Sequence, residues 1–448
     1  MDVHTIVIRE WECSVNLTTK EKSDKSMLMP MIIIGVLFFI FGFVTWLNGS
    51  LIPFLKIICN LDDFQALFVT FTFYIAYTTM ALPMASVLKR TGYRNGMMIG
   101  LAIMVLGSLL FIPAALSINY LIFLGAFFIL GTGLTILQTA ANPYVIFLGP
   151  KESAATRIAI MGLLNKVAGI VVPLIFAALV LSDVTDASEF AILVLTENEI
   201  AELSNRLIIP YIGLAVIFVL LIGLVYFANL PKIAELNEEA AGGSDKKSIF
   251  QFPQTVLGAG AIFAYLGVEV ISGDTINLYG STLYMDNFSI LTSFTMSFMV
   301  VGYIIGVMAI PKYLSQAQAL FMSAFVGCLC ILGIVLSSVD ESSISIILWQ
   351  WAGVPVIPNS VFFVALMGLA NAMVWPSIWP LSLDGLGKFT AQGSALLIMG
   401  VAGGALLPLA FGRIALMFGD MQIAYYICLP CYLYILFYAA KGHKIRNW

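Results

Sequence analysis

Charged residues are scarce in this chain. Asp, Glu, Lys and Arg make up 10% of its 448 residues, whereas hydrophobic residues make up 60%. A soluble domain normally carries about 25% charged residues, so this sequence lacks the polar side chains that would cover a water-exposed globule of its size. The deficit excludes a cytosolic enzyme, a nucleic-acid-binding protein and a secreted disulfide scaffold. It indicates that lipid surrounds most of the chain.

Histidine is nearly absent as well. The two histidines, His4 and His443, lie near the ends of the chain, which excludes a buried catalytic or metal site built on imidazole. The six cysteines lie mostly in apolar runs, where a thiol packs as a small hydrophobic group. Cys428 and Cys431 have the spacing of a redox or metal pair, but no second pair accompanies them. We therefore expect no enzyme activity, no metal and no cofactor.

Long apolar runs dominate what is present. A membrane-spanning helix needs roughly 20 apolar residues, and the sequence contains twelve runs of about that length. They lie near residues 30–55, 64–88, 95–116, 119–148, 157–181, 207–228, 253–284, 289–310, 316–337, 359–382, 389–416 and 420–440. We predict an all-α membrane protein with twelve transmembrane helices.

A hydrophilic stretch divides these runs into two groups of six. Residues 229–250 are rich in Glu, Gly and Lys, a composition typical of a linker. The first 26 residues lack the pattern of a cleaved signal peptide. The predicted segments are a tail at 1–26, a six-helix bundle at 27–228, a linker at 229–250, a second bundle at 251–441 and a tail at 442–448.

The distribution of basic residues predicts the orientation. If both termini face the cytoplasm, all but four of the 21 Lys and Arg residues fall in cytoplasmic segments. The four exceptions are Lys56, Lys166, Arg206 and Arg413. Cytoplasmic loops of membrane proteins carry an excess of Lys and Arg. We therefore predict that tails and linker are cytoplasmic and that the protein lies in the cytoplasmic membrane.

Three ionisable side chains fall near the middle of predicted spans: Lys166, Glu269 and Asp274. Such a group costs roughly 2.5–3.5 kcal/mol on insertion scales, so it usually faces a cavity or a partner. Glu269 and Asp274 would converge only if Gly267 or Gly273 bends their helix, because five residues correspond to about 140° of rotation. We expect one carboxylate to balance Lys166 between the two halves, for ion coupling or gating. The alternative is a static pair that holds the bundle together.

Neutral polar residues also lie in the spans. Thr135, Gln138 and Asn142 recur at intervals of three and four, so they share one helix face. The amide candidates for ligand binding are Asn48, Gln138, Asn142, Asn165, Asn277 and Asn371. Asn48 lies just before Pro53, where we expect the first helix to loosen. Amides donate and accept, which suits a ligand with many hydroxyls; interhelical hydrogen bonding without a ligand is the alternative.

Tryptophans form a second group of candidates. Trp375 and Trp379 are one turn apart in the tenth run, and an indole face packs well on the apolar face of a pyranose ring. We predict ligand contacts for both. For Trp46, Trp349 and Trp351 we expect anchoring at the membrane interface instead.

Several of these residues lie in stretches that resemble a known family. The stretches are residues 46–56, 138–144, 148–150, 267–270 and 375–378, with Asn165. They resemble the fucose permease and glucose/galactose transporter family of the major facilitator superfamily, over nearly all of residues 27–443. Residues 89–94 resemble that superfamily's motif between the second and third helices, with Lys89 where many members carry Asp. The resemblance implies two related six-helix halves around a midplane sugar site, and cation-coupled uptake by alternating access.

Two positions depart from the family pattern. Proton-coupled fucose permeases carry an acidic residue where this sequence has Gly49, and a glutamate where it has Gln138. Neither replacement can titrate, so the family's proton route through these positions does not transfer. Glu269 matches the acidic position of the glucose/galactose branch, which includes sodium-dependent members. Lys166 stands where fucose permeases have a small polar residue, and its role stays open.

From these observations we predict a monomeric membrane transporter that takes up a hexose resembling glucose or galactose. The substrate class extends to fucose or an amino sugar, and the coupling ion is Na⁺ or H⁺. An uncoupled facilitator is an alternative, as are an exporter of another solute and a sugar sensor that does not transport.

Overall fold

The structure is a computed structural model that describes residues 3–147, 154–181, 196–228, 248–310, 312–386 and 389–448. Within these ranges the chain forms helices and no strands. The helices before the linker are Val3–Ile58, Asp63–Ala66, Phe68–Ser117, Tyr120–Phe147, Ala154–Val180, Glu197–Asn205 and Ile208–Phe227. Those after it are Pro253–Thr282, Leu291–Ala309, Gln316–Leu336, Ser343–Trp349, Asn359–Asn371, Val374–Leu383, Thr390–Met399, Gly403–Phe418, Met421–Ala424 and Cys428–Ala440.

Twelve helical segments of the described chain are long and apolar enough to cross a membrane. The first six are Met29–Ile58, Asp63–Ala81, Arg90–Ser117, Tyr120–Ala141, Arg157–Val180 and Glu197–Phe227. The last six are Pro253–Thr282, Phe288–Ala309, Gln316–Leu336, Asn359–Leu383, Leu396–Phe418 and Met421–Lys444. These are called the first to the twelfth span. Lipid offers no hydrogen bonds, so the backbone must bond within each segment, which selects helices. The predicted all-α class and twelve spans are confirmed.

The turn between the second and third spans depends on one glycine. A single helical stretch, Phe68–Ser117, contains most of the second span and all of the third, and its helical geometry is interrupted at Gly92, where φ is +77° and ψ is 168°. Glycine adopts positive φ without the steric penalty that a Cβ atom imposes. The interruption therefore falls inside residues 89–94, the predicted loop.

The first six spans meet the last six along a seam that positions the site. The first span packs against the fifth and seventh, and the fifth packs against the eighth. Ser50 Oγ donates a hydrogen bond of 3.2 Å to the Ser289 carbonyl, and Ser293 Oγ donates one of 2.7 Å to the Ile170 carbonyl. We call the contact made by residues 49–50, 70, 273–274 and 289–293 the outer seam. It lies toward the ends of the first and seventh spans that are predicted to face outward.

One expectation about helix geometry is wrong, and the bend that would bring Glu269 and Asp274 together is absent from the seventh helix. The first helix does not loosen near Asn48 but continues through Pro53 to Ile58. The seventh helix runs unbroken from Pro253 to Thr282, because its neighbours accommodate Gly267 and Gly273 as contact points rather than bends. Most of the predicted linker lies outside the described residues, so the bundle boundaries and the orientation stay predictions.

Candidate substrate and coupling site

A buried ion pair joins the two halves of the protein. Lys166 Nζ, in the fifth span, lies 2.6 Å from Glu269 Oε1, in the seventh span. Both side chains are less than a tenth exposed, so water screens their attraction little. The unbroken seventh helix aims Glu269 at Lys166 and directs Asp274 elsewhere. Of the two candidate carboxylates, Glu269 is therefore the one that pairs with Lys166.

Trp46 covers this ion pair, and its expected role at the membrane interface is wrong. The Lys166 Nζ atom lies 4.4 Å from the centre of the Trp46 ring, a cation–π contact. Trp46 is 2% exposed, and its Nε1 donates a 3.2 Å hydrogen bond to Asn165 Oδ1. Asn165 thus contacts the edge of the indole ring and Lys166 contacts its face, and the two are consecutive residues of the fifth span. Trp351, by contrast, is exposed, and Trp349 is half-buried.

Small residues on two neighbouring spans make room for Trp46. A Cβ atom on Gly169 would lie 2.8 Å from Trp46 Cδ1, and a Cβ atom on Gly273 would collide with Trp46 Cζ3. The indole ring therefore occupies a slot between the fifth and seventh spans. We call Gly169 and Gly273 the glycine slot. The slot belongs to both halves, so it exists only while they are in contact.

Aromatic side chains extend from the ion pair into the second half. Tyr265 lies one turn before Glu269, and Tyr303 of the eighth span also lies within the electrostatic influence of Glu269. The ring centres of Tyr265 and Trp375 are 6.2 Å apart, and those of Trp375 and Trp379 are 5.4 Å apart. The two predicted tryptophans therefore continue a row of aromatic side chains that begins beside the ion pair. Sequence reasoning missed both tyrosines, although the spacing of Tyr265 from Glu269 was a usable signal.

Asp274 has no comparable charge partner. It is fully buried, and no cationic group of the described residues lies within ion-pair distance. Its Oδ2 accepts a long hydrogen bond of 3.5 Å from Thr70 Oγ1 in the second span. Its Oδ1 has no hydrogen-bond partner among the described residues. Asp274 thus lies in the outer seam, apart from the Lys166–Glu269 pair.

The amides of the first half differ in what they contact. Gln138 is half-buried, and its Nε2 donates a 3.2 Å hydrogen bond to the hydroxyl of Tyr77. Asn48 is buried, and its Nδ2 finds no acceptor among the described residues. The side chain of Asn142 lies outside the described part of the chain. Thr135, on the same helix face, hydrogen-bonds to the Gly131 carbonyl.

The amides of the second half are engaged within the protein. Asn277 Nδ2 donates to the Ser289 carbonyl at 3.0 Å, and its Oδ1 accepts from the backbone N–H of Thr292 at 2.8 Å. Asn277 thus holds the start of the eighth helix against the seventh. Asn371 Nδ2 donates to Ser272 Oγ at 3.1 Å, and its Oδ1 accepts from the Tyr432 hydroxyl at 2.9 Å. Both have structural partners in this state.

Comparison with known proteins assigns the chain to a family. The sequence matches the Major Facilitator Superfamily profile over residues 34–411. The chain belongs to the major facilitator superfamily. A glucose/galactose transporter of Brucella abortus is 35% identical over 435 residues, covering 96% of this chain and 97% of that protein. A putative glucose/galactose transporter of Helicobacter pylori is 32% identical over 415 residues, covering 91% and 95%.

A solved structure supports the superfamily fold. The Escherichia coli fucose:proton symporter superposes with a TM-score of 0.67 at 22% identity, covering 92% of this chain and 98% of that one. With twelve spans and bacterial superfamily relatives, the chain is a multi-pass protein of the inner membrane.

Close packing at the outer seam explains why position 49 carries glycine here. A Cβ atom on Gly49 would lie 2.6 Å from Thr292 Oγ1 and 3.1 Å from the Gly273 carbonyl oxygen. It would also lie 3.3 Å from the Cα atom of Asp274. In this closed seam no side chain fits at position 49 without displacing the seventh or eighth span. The backbone of Asp274, on the opposite helix, is part of this contact.

Proposed function

We propose that this protein takes up a hexose resembling glucose or galactose by alternating access, as a cation-coupled symporter. The observation that carries the proposal is the buried Lys166–Glu269 pair, which joins the fifth span to the seventh across the two halves. Because the pair belongs to both halves, it can form and break as they rock. The glucose/galactose transporters among the relatives support the substrate class.

Sugar recognition is assigned to two tryptophans and two amides of the spans. Trp375 and Trp379 offer indole faces for the apolar face of a sugar ring. Gln138 offers an amide group for hydroxyls, and Asn165 can do so by exchanging its present bond with Trp46. The Nε1 atom of Trp379 is buried without an acceptor, so a sugar hydroxyl that reaches it when the halves move would meet an unpaired donor.

The remaining amide candidates have a different part in the proposal. Asn48 presents an unpaired Nδ2 atom near the outer seam, and Asn142 is assigned by its helix face alone. Asn277 and Asn371 would bind hydroxyls only by exchanging their present partners. The monomeric state and the absence of enzyme activity belong to the same proposal.

Reconstitution into proteoliposomes tests the proposal. Uptake of a panel of radiolabelled hexoses is measured with separate sodium and proton gradients. Accumulation of glucose or galactose that an ionophore abolishes is the expected result. Uptake that never exceeds equilibrium would indicate a facilitator, and the absence of counterflow for every sugar would contradict the transport function.

Glu269→Gln tests the role of the ion pair. This substitution removes the charge that balances Lys166 but keeps the shape of the side chain. We expect gradient-driven accumulation to disappear while sugar exchange persists, because exchange does not require the coupling ion to be released. Asp286→Asn, which alters an exposed carboxylate in the loop after the same span, is the matched control. Unchanged accumulation by Glu269→Gln would remove Glu269 from the coupling step.

A further inference from the structure

The outer seam buries the carboxyl group of Asp274, which has no cation as a partner among the described residues. Lys166 and Glu269 balance each other at 2.6 Å. Asp274 is fully buried, has one long hydrogen bond to Thr70 and leaves Oδ1 without a partner among the described residues. An ionised carboxylate in such a place loses its hydration and gains almost nothing in return. Burying Asp274 in the closed seam is therefore costly unless its charge is neutralised.

The surroundings of Asp274 suit a proton better than a metal ion. Hard metal cations take several oxygen ligands. Among the described residues, Thr70 Oγ1 is the hydroxyl within hydrogen-bonding distance of the carboxyl group. The neighbouring Thr292 Oγ1 is committed to the Gly273 carbonyl at 2.7 Å. Gly49 packs so closely here that no added side chain fits. A proton needs none of the missing ligands, because it neutralises the carboxyl group by itself.

We propose that Asp274 binds the coupling proton and that closing the outer seam requires it. This assignment rests on the proposed symport and names its ion. When the halves separate at the outer seam, Asp274 meets water and is ionised. It takes up one proton from the outer side, and the neutral acid is then buried as the first, second, seventh and eighth spans come together. Proton binding and closure favour each other because the neutral group costs less to bury.

The charged and titratable groups around Asp274 indicate where the proton goes next. Among the described residues, Glu269 and Lys166 act on Asp274 electrostatically, and Tyr74 of the second span interacts with both carboxyl groups. Glu269 is the next acid along the seventh span toward the inner side. When the inner side opens, water entering from that side accepts the proton as the O–H bond of Asp274 breaks, and the renewed negative charge favours reopening of the outer seam. One proton thus enters from the outer side and leaves on the inner side in each cycle.

Infrared difference spectroscopy tests the bound proton without any sugar. A buried neutral carboxylic acid gives a carbonyl stretch that a carboxylate lacks. We expect this band in the purified full-length protein, and we expect Asp274→Asn to abolish it. Glu269→Gln and the control Asp286→Asn should keep it. Persistence of the whole band in Asp274→Asn would overturn the proposal.

Thr70→Val keeps Asp274 and serves where Asp274→Asn fails to fold. Removing the Thr70 hydroxyl takes away the hydrogen bond to Oδ2, so the carbonyl band should move to the frequency of a free acid. A band that does not move in Thr70→Val would not belong to Asp274, and the proposal would fail.

Transport in proteoliposomes completes the test. Asp274→Asn mimics the neutral acid permanently, so sugar counterflow should persist and lose its dependence on pH, while proton-driven accumulation falls at least tenfold. Equal accumulation in Asp274→Asn and wild type would refute the assignment, and so would accumulation driven by sodium and not by protons. If the wild-type protein shows no counterflow at all, the proposed sugar transport fails, whereas the infrared result still decides whether Asp274 holds a proton.

Discussion

The seventh span carries two buried carboxyl groups in different surroundings. Glu269 has a cation at 2.6 Å, a tryptophan over that cation and tyrosines nearby. Asp274 has a distant threonine hydroxyl and closely packed backbone. Both lie on one continuous helix, so the difference comes entirely from what the neighbouring spans present.

This contrast separates two ways of keeping a charge inside a membrane protein. At Glu269 the charge is kept and balanced, which makes the contact between the halves depend on both partners. At Asp274 no partner is supplied, so the charge itself must disappear when the seam closes. The first arrangement holds the two halves together, and the second provides a binding site for an ion. Substitutions that alter one arrangement at a time can break or sharpen this comparison.

The largest effect on stability is expected for Lys166→Met. Removing one partner of a buried ion pair typically costs about 3–5 kcal/mol, because the other charge is left uncompensated. We therefore predict a large drop in the thermal unfolding temperature of the purified protein. In the double variant with Glu269→Met, most of this loss should be recovered, although accumulation should not. If the double variant is no more stable than Lys166→Met, the two charges do not stabilise each other.

The next largest effect is expected at the glycine slot. A Cβ atom in Gly273→Ala would collide with Trp46, and overpacking of this kind typically costs about 1–3 kcal/mol. Since the slot forms only when the halves meet, we predict slower sugar counterflow together with lower stability. The additional change Trp46→Leu should recover part of the stability, because it removes the colliding ring.

Gly213→Ala in the sixth span is the matched control for this prediction. A Cβ atom there meets nothing within 4 Å, so the change should be neutral or stabilising by up to about 1 kcal/mol through helix propensity. If Gly273→Ala behaves like Gly213→Ala in both unfolding and counterflow, the contact between Trp46 and the seventh span does not limit closure.

Sequence reasoning predicted the spans well because lipid imposes one rule on every segment. Each span must be long, apolar and helical, and these properties are local. The scarcity of charge also restricted the mid-span candidates to Lys166, Glu269 and Asp274. Which carboxylate faces Lys166 was not predictable, because it depends on how the seventh span is rotated against the fifth. That rotation is set by packing between residues about a hundred positions apart.

Trp46 illustrates the same limit. A tryptophan near the end of a span usually anchors at the interface, but the first span continues well beyond Trp46, to Ile58. The slot that receives it is made by Gly169 and Gly273, and each glycine alone has many explanations. Asn371 was likewise recognisable as polar and buried, but its bond to Tyr432 could not be inferred from one sequence.

A smaller effect should distinguish the amides. In Asn371→Ala the Tyr432 hydroxyl loses its buried acceptor, which typically costs about 1–3 kcal/mol. In Gln138→Ala the half-buried amide and its hydrogen bond to the Tyr77 hydroxyl are lost, and we expect the free energy of unfolding to fall by only about 0.5–1.5 kcal/mol while the KM for sugar rises. Thermal unfolding and uptake kinetics measured on both variants check this division. If Asn371→Ala is stable but has a raised KM, then Asn371 binds the sugar and the two assignments are reversed.

The smallest effect is expected at the exposed counterpart of the central pair. Lys56 Nζ and Asp63 Oδ1 are 2.5 Å apart, shorter than the Lys166–Glu269 contact, yet both side chains are about a third exposed. Exposed pairs contribute roughly 0–1 kcal/mol and weaken with salt. Lys56→Met should therefore shift the unfolding temperature little, and less still at high ionic strength, whereas the shift in Lys166→Met should persist there. Equal shifts in the two variants would mean that burial does not set the strength of the central pair.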